Sequence, residues 1–213
     1  MIGIIAGTPT DTRFGVELVK QITNTYISVA VSPTPQEQTA FQVLSKHEKE
    51  KVLQAILQDF KGKGVKQVLI YCNSLSSSVD FDTLSQHLSI PIITPLHFYQ
   101  SLAKQYTKMG FLAANAQGSA GIERVITRHN PISRVHAISS LDWVEAVETN
   151  LPPHQIVETM GLHDTISIFE TLQVEVIVFG CTHFPYFLDY YQAKTTLPCL
   201  SADYYFLTQL NAI

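Results

Sequence analysis

The sequence predicts an α/β protein of two pseudo-symmetric, doubly wound domains with mainly parallel sheets and an active site in the cleft between them. Three observations predict it. Apolar strand-like runs alternate with segments of helical period from one end of the chain to the other, as in strands joined by helical crossovers. Two of these strands, Gln67–Tyr71 and Val174–Phe179, lead into cysteines, Cys72 and Cys181, each followed by polar residues. Landmarks also recur in order at nearly one interval: Gly3–Ala6 with Gly110–Ala113, Cys72 with Cys181, and Ile90–Ile92 with Leu197–Cys199. One such match would mean little, but three together indicate a duplicated α/β unit. The expected division is 1–96 plus 187–213 for the first domain, carrying Cys72, and 97–186 for the second, carrying Cys181.

Taken in order, Ile2–Ala6 is the first strand and Gly7–Asp11 a polar turn. Phe14, Leu18, Val19 and Ile22 then recur at helical spacing, and Ile27–Val31 alternates as a strand before the loop Ser32–Pro35. Over His47–Lys61 the apolar residues Val52, Leu53, Ile56, Leu57 and Phe60 form one face, with Gly62 and Gly64 marking the end of that helix. Phe81–Leu88 reads as helical and Ile92–Ile93 as a short buried strand after Pro91.

The second half restarts with the strand Met109–Ala113 and the polar turn Ala114–Gly118. Ser119 is the expected cap of a helix running through Arg128. Arg134–Ile138 reads as a strand, Leu141–Thr149 as a segment of mixed character, and Pro152–Gly161 and His163–Leu172 as helices. Beyond Cys181, a helix is expected from Phe184 to Lys194, because Pro185 is tolerated in a first turn. Pro198–Leu200 and a last helix from Asp203 follow.

Composition excludes several classes of function. Hydrophobic residues make up 46% of the 213, enough for real cores, whereas only 15% are charged, below the usual quarter. A net charge of −4 offers no basic patch for nucleic acid. No apolar run approaches the roughly 18 residues of a membrane span, and the segment Met1–Gly7 lacks a charged start and reads as a strand, not a signal peptide. Three widely spaced cysteines do not form a disulfide framework, so a cytoplasmic location is expected. Low charge and the aromatic residues Tyr186, Tyr190, Tyr191, Tyr204 and Tyr205 are compatible with a homodimer, or with simple packing of the last helices.

A cysteine in an apolar strand is ordinarily a small buried hydrophobe, the role expected of Cys199, whose counterpart in the repeat is Ile92. Cys72 and Cys181 differ because Asn73–Ser74 and Thr182–His183 follow them, and strand ends are where open parallel sheets place ligands. Two such ends facing one small ligand suit isomerisation at carbon, one thiolate removing a proton and the other thiol returning one to the opposite face. A free thiol titrates near about 8.5, so the base needs an acid–base partner or a helix N-terminus. His183 and a carboxylate are the candidates. A metal held by Cys181 and His183 lacks the further ligands such sites need. His47, His87, His154 and His163 read as ordinary surface or capping residues.

Gly180–Cys–Thr–His–Phe–Pro185, with Cys72–Asn–Ser74 upstream, resembles the cofactor-independent aspartate/glutamate racemase family over nearly the whole chain. The resemblance implies racemisation of a small acidic amino acid without a cofactor or metal. It implies Cys72 and Cys181 as paired bases, His183 as the assistant of Cys181, and Glu148, with Glu145 as competitor, as the acid of the second domain. It implies substrate contacts at Gly7, Thr8, Asn73, Ser74, Ala113, Ala114 and Thr182. There are departures. Ala6–Gly7 stands where glutamate racemases carry Asp–Ser, with Asp11 later in the turn, and Ser32–Pro–Thr34 replaces a Pro–Tyr–Gly loop. Ala114 and Gln117 stand where threonines are expected. Related folds that use such cysteines differently are hydantoin racemases, maleate isomerases and arylmalonate decarboxylases, and a ligand-binding paralogue is the rival from another class.

Overall fold

The computed structural model describes residues 1–212; Ile213, the last residue expected in the first domain, lies outside the described residues. The chain divides into two compact units, Met1–His97 with the segment from Asp203 onward, and Phe98–Ala202.

The first unit is laid down as β1 (Ile2–Ala6), α1 (Pro9–Lys20), β2 (Tyr26–Ala30), α2 (Pro35–Gln42), α3 (Lys46–Gly62), β3 (Gln67–Tyr71), α4 (Asn73–Ser78), α5 (Phe81–Leu88) and β4 (Ile92–Ile93). Its sheet has the order β2-β1-β3-β4, and every pairing is parallel. The central strands β1 and β3 are buried throughout, while the edge strand β2 is partly exposed. This is why β1 and β3 read as continuous apolar runs. Helix α3 begins with a capping box in which Ser45 and Glu48 satisfy each other's backbone amides. Its Leu53, Leu57 and Phe60 then pack into the core with Ile5, Val68 and Ile70.

The second unit follows after α6 (Pro95–Ala103), within which the division falls. It contains β5 (Lys108–Ala113), α7 (Ala116–His129), β6 (Arg134–Ser139), α8 (Leu141–Glu148), α9 (Pro153–Thr159), α10 (Leu162–Thr171), β7 (Val176–Gly180), α11 (Pro185–Gln192) and β8 (Cys199–Leu200). Its sheet has the order β6-β5-β7-β8, again wholly parallel. The two sheets therefore share one strand order, as a duplication requires. The chain ends in α12 (Asp203–Asn211), which belongs to the first unit.

The repeat has a physical signature in the packing. A Cβ added at Gly3 would stand 2.5 Å from the Phe60 ring, and one added at Gly110 would stand 2.7 Å from the Phe169 ring. Both glycines lie in the first strand of their unit, and both rings come from the helix that precedes the cysteine-bearing strand. Glycine is needed at each place so that a buried aromatic ring can pack directly against the strand.

Several expectations need correction. Residues 187–202, expected in the first domain, lie in the second unit, because β8 pairs with β7. Asn115, not Ser119, caps α7, accepting a bond from the Gly118 amide at 2.9 Å. The mixed segment is the helix α8, whose Trp143, Val144, Ala146 and Val147 are buried. β7 begins at Val176, not Val174, because Gln173 turns left-handed and the Val174 amide bonds back to Phe169. Helices α2, α4 and α6 were not anticipated: their short segments carry no sustained apolar period. Helix α1 starts at Pro9, inside the expected turn.

Candidate active site

The first cluster forms at the carboxyl ends of β1 and β3. Ala6 is in register with Tyr71, so Gly7 and Cys72 leave the sheet side by side. Cys72 is the extended residue that precedes α4, and it is only 4% exposed. Its carbonyl accepts from the Ser76 amide and hydroxyl, which locks the turn. Its sulfur lies 3.4 Å from Ser74 Oγ, and Gln38 Nε2 donates toward it across 3.9 Å. Gln38 is itself held by Ser32, whose hydroxyl donates to Gln38 Oε1 at 3.0 Å.

Asp11 completes this cluster from α1. Thr8 caps that helix by accepting from the Asp11 amide, which puts Asp11 in the first turn, where a carboxylate is favoured. The residue is 2% exposed. A Cβ placed on Gly7 would meet Cys72 Sγ at 3.0 Å, Asp11 Oδ2 at 3.2 Å and Gln38 Cγ at 3.2 Å. All three side chains thus converge on the space that glycine leaves. Nearby, the Tyr71 hydroxyl donates to Asp203 Oδ1 at 2.9 Å. Burial first, with the Asp11 charge adding to it against the opposing Tyr71 bond, pushes the Asp203 carboxyl up to about 6.

The second cluster forms at the matching place in the other unit. Ala113 ends β5 in register with Gly180, and Cys181 follows, 7% exposed. Cys181 Sγ lies 3.7 Å from His183 Nδ1, and His183 Nε2 lies 2.8 Å from Glu148 Oε1. His183 is 3% exposed. Glu148 is the last residue of α8, a helix anchored by Trp143, which packs edge-on against Phe184 and donates to the Met160 carbonyl. Glu148, not its competitor Glu145, is therefore the carboxylate on the histidine. Tyr99 is fully buried, and its hydroxyl titrates well above the usual tyrosine range, through burial first and then the charge of neighbouring Cys181.

The sequence-predicted residues fall into these two clusters. Gly7, Thr8, Asn73 and Ser74 surround the Cys72 strand end, and Thr182, Ala113 and Ala114 flank Cys181, with Asn73, Thr8 and Thr182 buried. Gln38 and Tyr99 were not anticipated; Gln38 lies on a helix with no apolar period, and Tyr99 reads as core. Asp11 was read only as a later residue of the turn after β1; the Thr8-x-x-Asp11 capping pattern is the signal that could have placed it in α1. Cys199 is a buried core residue whose thiol burial pushes up to about 12. Among the described residues, no group of three or more His, Cys, Asp and Glu side chains is disposed to hold a metal, and no helix is long and apolar enough to cross a membrane.

Fold and site define a class: tandem parallel α/β units, each presenting a buried cysteine at the end of its third strand with polar groups around the sulfur. No family model matches the chain. A glutamate racemase of Staphylococcus aureus (strain bovine RF122 / ET3-1) is 25% identical over 150 residues, which cover 67% of this chain and 56% of that protein. The matched part thus spans about half the length of the curated relatives. The glutamate racemase of Francisella tularensis subsp. tularensis SCHU S4, solved in complex with D-glutamate, superposes with a TM-score of 0.77 at 19% identity, covering 99% of this chain and 79% of that one. An aspartate racemase of Picrophilus torridus superposes with a TM-score of 0.68 at 16% identity, covering 99% and 92%. The chain is thus similar in sequence to glutamate racemases over two thirds of its length, and it shares its fold with solved glutamate and aspartate racemases.

Proposed function

We propose that this protein racemises a small acidic amino acid, glutamate or aspartate, without a cofactor, by proton transfer at the α-carbon between Cys72 and Cys181. The observation that carries the reading is the buried chain Cys181–His183–Glu148, with its 3.7 and 2.8 Å separations. A carboxylate that fixes one imidazole nitrogen orients the other toward the thiol, the arrangement that activates a nucleophile or base.

In this mechanism one thiolate removes the α-proton from one face of the substrate, and the other thiol protonates the carbanion from the opposite face. The proton balance closes each turnover, because one cysteine ends protonated and the other ionised, ready for the reverse direction. His183 takes the Cys181 proton when Cys181 must be the base, and in the reverse direction, after the Cys181 thiol has protonated the carbanion, it hands a proton back to the resulting thiolate. Backbone and side-chain donors of Asn73, Ser74 and Thr182 bind the substrate's charged groups and stabilise the developing negative charge. Buried thiols suit the task, since a site closed to water strengthens these interactions.

A cytoplasmic setting accords with three cysteines outside any disulfide, and low charge with the C-terminal tyrosines is compatible with a homodimer. A second reading, a ligand-binding paralogue, draws on Ala114 and Gln117, which stand where the resemblance leads one to expect threonines. The two are separated by incubating the protein with each enantiomer of glutamate and aspartate and resolving the products by chiral chromatography. Conversion of one acidic amino acid supports racemisation. Thermal stabilisation by such a ligand with no conversion would replace it with the binding reading.

A further inference from the structure

One aromatic side chain joins the two segments that carry the Cys181–His183–Glu148 chain. Trp143 stands earlier in α8 than Glu148 and is 4% exposed. Its ring packs edge-on against Phe184, the residue after His183, with centroids 5.9 Å apart and planes at 68°. Its Nε1 donates to the Met160 carbonyl at 3.0 Å, just beyond the end of α9. We infer that Trp143 is a positioning residue of the proposed reaction, holding Glu148 and His183 in line behind Cys181.

The inference deepens the racemase reading and rests on it. Three observations support it. First, the residues from Cys181 to Phe184 form a turn, closed by the Phe184 amide donating to the Cys181 carbonyl at 3.1 Å. Phe184 is therefore the corner on which the placement of both Cys181 and His183 depends. It is fully buried and packs on Phe187 as well, with centroids 5.1 Å apart. Trp143 is the ring that α8 sets against this corner. Second, α8 is locked at its other end. Asn150 is left-handed at φ 56°, and the amides of Asn150 and Leu151 donate to the carbonyls of Val147 and Ala146 at 3.0 and 2.9 Å. This two-bond closure of a helix usually takes glycine at the left-handed place and sometimes asparagine. Glu148 thus lies between an anchored ring and a fixed terminus. Third, the indole N–H is bonded to a carbonyl outside α8, so the ring is held by its polar end as well as by its edge. Such support matters because the His183–Glu148 bond, at 2.8 Å, weakens steeply with misalignment. A misplacement of about 1 Å is enough to cost a large part of a rate.

The test reads His183 itself, which a purely structural tryptophan would leave unaltered. Trp143→Phe keeps a ring against Phe184 and removes the indole donor, whereas Trp143→Leu removes both. His183 is followed by 15N NMR of histidine-labelled protein, its resonances assigned with His183→Asn, and circular dichroism verifies that each variant is folded. A carboxylate held against an imidazole favours its charged form. Cys181 and Glu148 are intact in both variants, so a moved midpoint reports their placement. In Trp143→Leu the His183 midpoint falls by about half a pH unit or more, toward that of Glu148→Gln, and it falls less in Trp143→Phe. Where Trp143→Leu does not fold, the same comparison is read from Trp143→Phe. In parallel, Trp143→Leu lowers kcat for the acidic amino acid about tenfold with little change in KM. Added to Glu148→Gln it costs no more than about twofold further, because residues acting through one contact do not lose independently. An unchanged midpoint in the folded variants, or a loss that recurs in full on Glu148→Gln, would overturn the positioning role. A moved midpoint in a protein that racemises nothing would support the placement of His183 by Trp143 while removing the racemase reading, so the two failures are distinguishable.

Discussion

His183 Nε2 and Glu148 Oε1 lie 2.8 Å apart across two elements that are 35 residues distant in sequence. The pair is mostly buried, with side-chain exposures of 4% and 19%. It turns the imidazole so that Nδ1 faces Cys181. Replacing Glu148 with glutamine keeps the shape and removes the charge. We expect kcat to fall about a hundredfold, the usual scale for an acid–base partner, with KM changed much less. Steady-state kinetics of Glu148→Gln against Glu145→Gln checks the assignment, since the second substitution should be nearly silent.

Gln38 serves Cys72 in a different way, as a neutral donor held by Ser32. Gln38→Leu removes the donor and leaves the Ser32 hydroxyl without that acceptor. Loss of one hydrogen bond to a charged group is worth about 1.5–3 kcal/mol, so kcat/KM should fall by roughly tenfold or more. Gln38→Glu should be worse, because it adds a negative charge beside a sulfur that must itself become negative.

The two aromatic rings that lie on Gly3 and Gly110 leave no room for a methyl group. Phe60 and Phe169 are themselves buried among core residues, so neither ring can move away freely. Gly3→Ala and Gly110→Ala should each destabilise their unit by about 1–3 kcal/mol, the range for overpacking. Thermal denaturation should show each variant melting at a lower temperature than wild type. Gly62→Ala, where a Cβ meets nothing within 4 Å, is the matched control and should be unchanged or slightly stabilised.

Asp203 makes stability depend on pH in a defined direction. Its carboxyl titrates at about 6 when folded, against an ordinary value of 3.8. Between those values the folded chain holds a proton that the unfolded chain releases, so this group's contribution falls as pH rises through the window and stays low above it. Asp203→Asn retains an acceptor for Tyr71 and carries no charge. Relative to wild type, the variant should gain stability between pH 4 and 7, on the order of 1 kcal/mol after allowance for partial exposure, or about 2–4 °C in Tm. A difference that stayed flat over that range would show that Asp203 is not the group responsible.

Much of this was legible in the sequence because the central strands are buried on both faces. β1 and β7 appear as unbroken apolar runs and β3 as one after Gln67, and β3 and β7 lead into cysteines followed by polar residues. The repeat could be read because Gly3 and Gly110 answer to one packing constraint. The short helices α2, α4 and α6 were hidden, being too brief to establish a period, and with α2 went Gln38. Asp11 was visible but could not be placed, since the expected turn ran through it whereas α1 starts at Pro9. The division at 187–202 was misjudged because two residues of strand, Cys199 and Leu200, decide which sheet that segment joins.

The central claim is that Cys72 and Cys181 divide one proton transfer between two faces of the α-carbon. It is tested most directly by running the reaction in D₂O with each enantiomer of glutamate and aspartate, and following the α-position by NMR and mass spectrometry at low conversion. The account predicts deuterium at the α-carbon of the product enantiomer and protium in the recovered substrate, with racemisation abolished in Cys72→Ser and in Cys181→Ser. Product that retains protium, label appearing equally in both enantiomers, or racemisation that survives loss of either cysteine would contradict it.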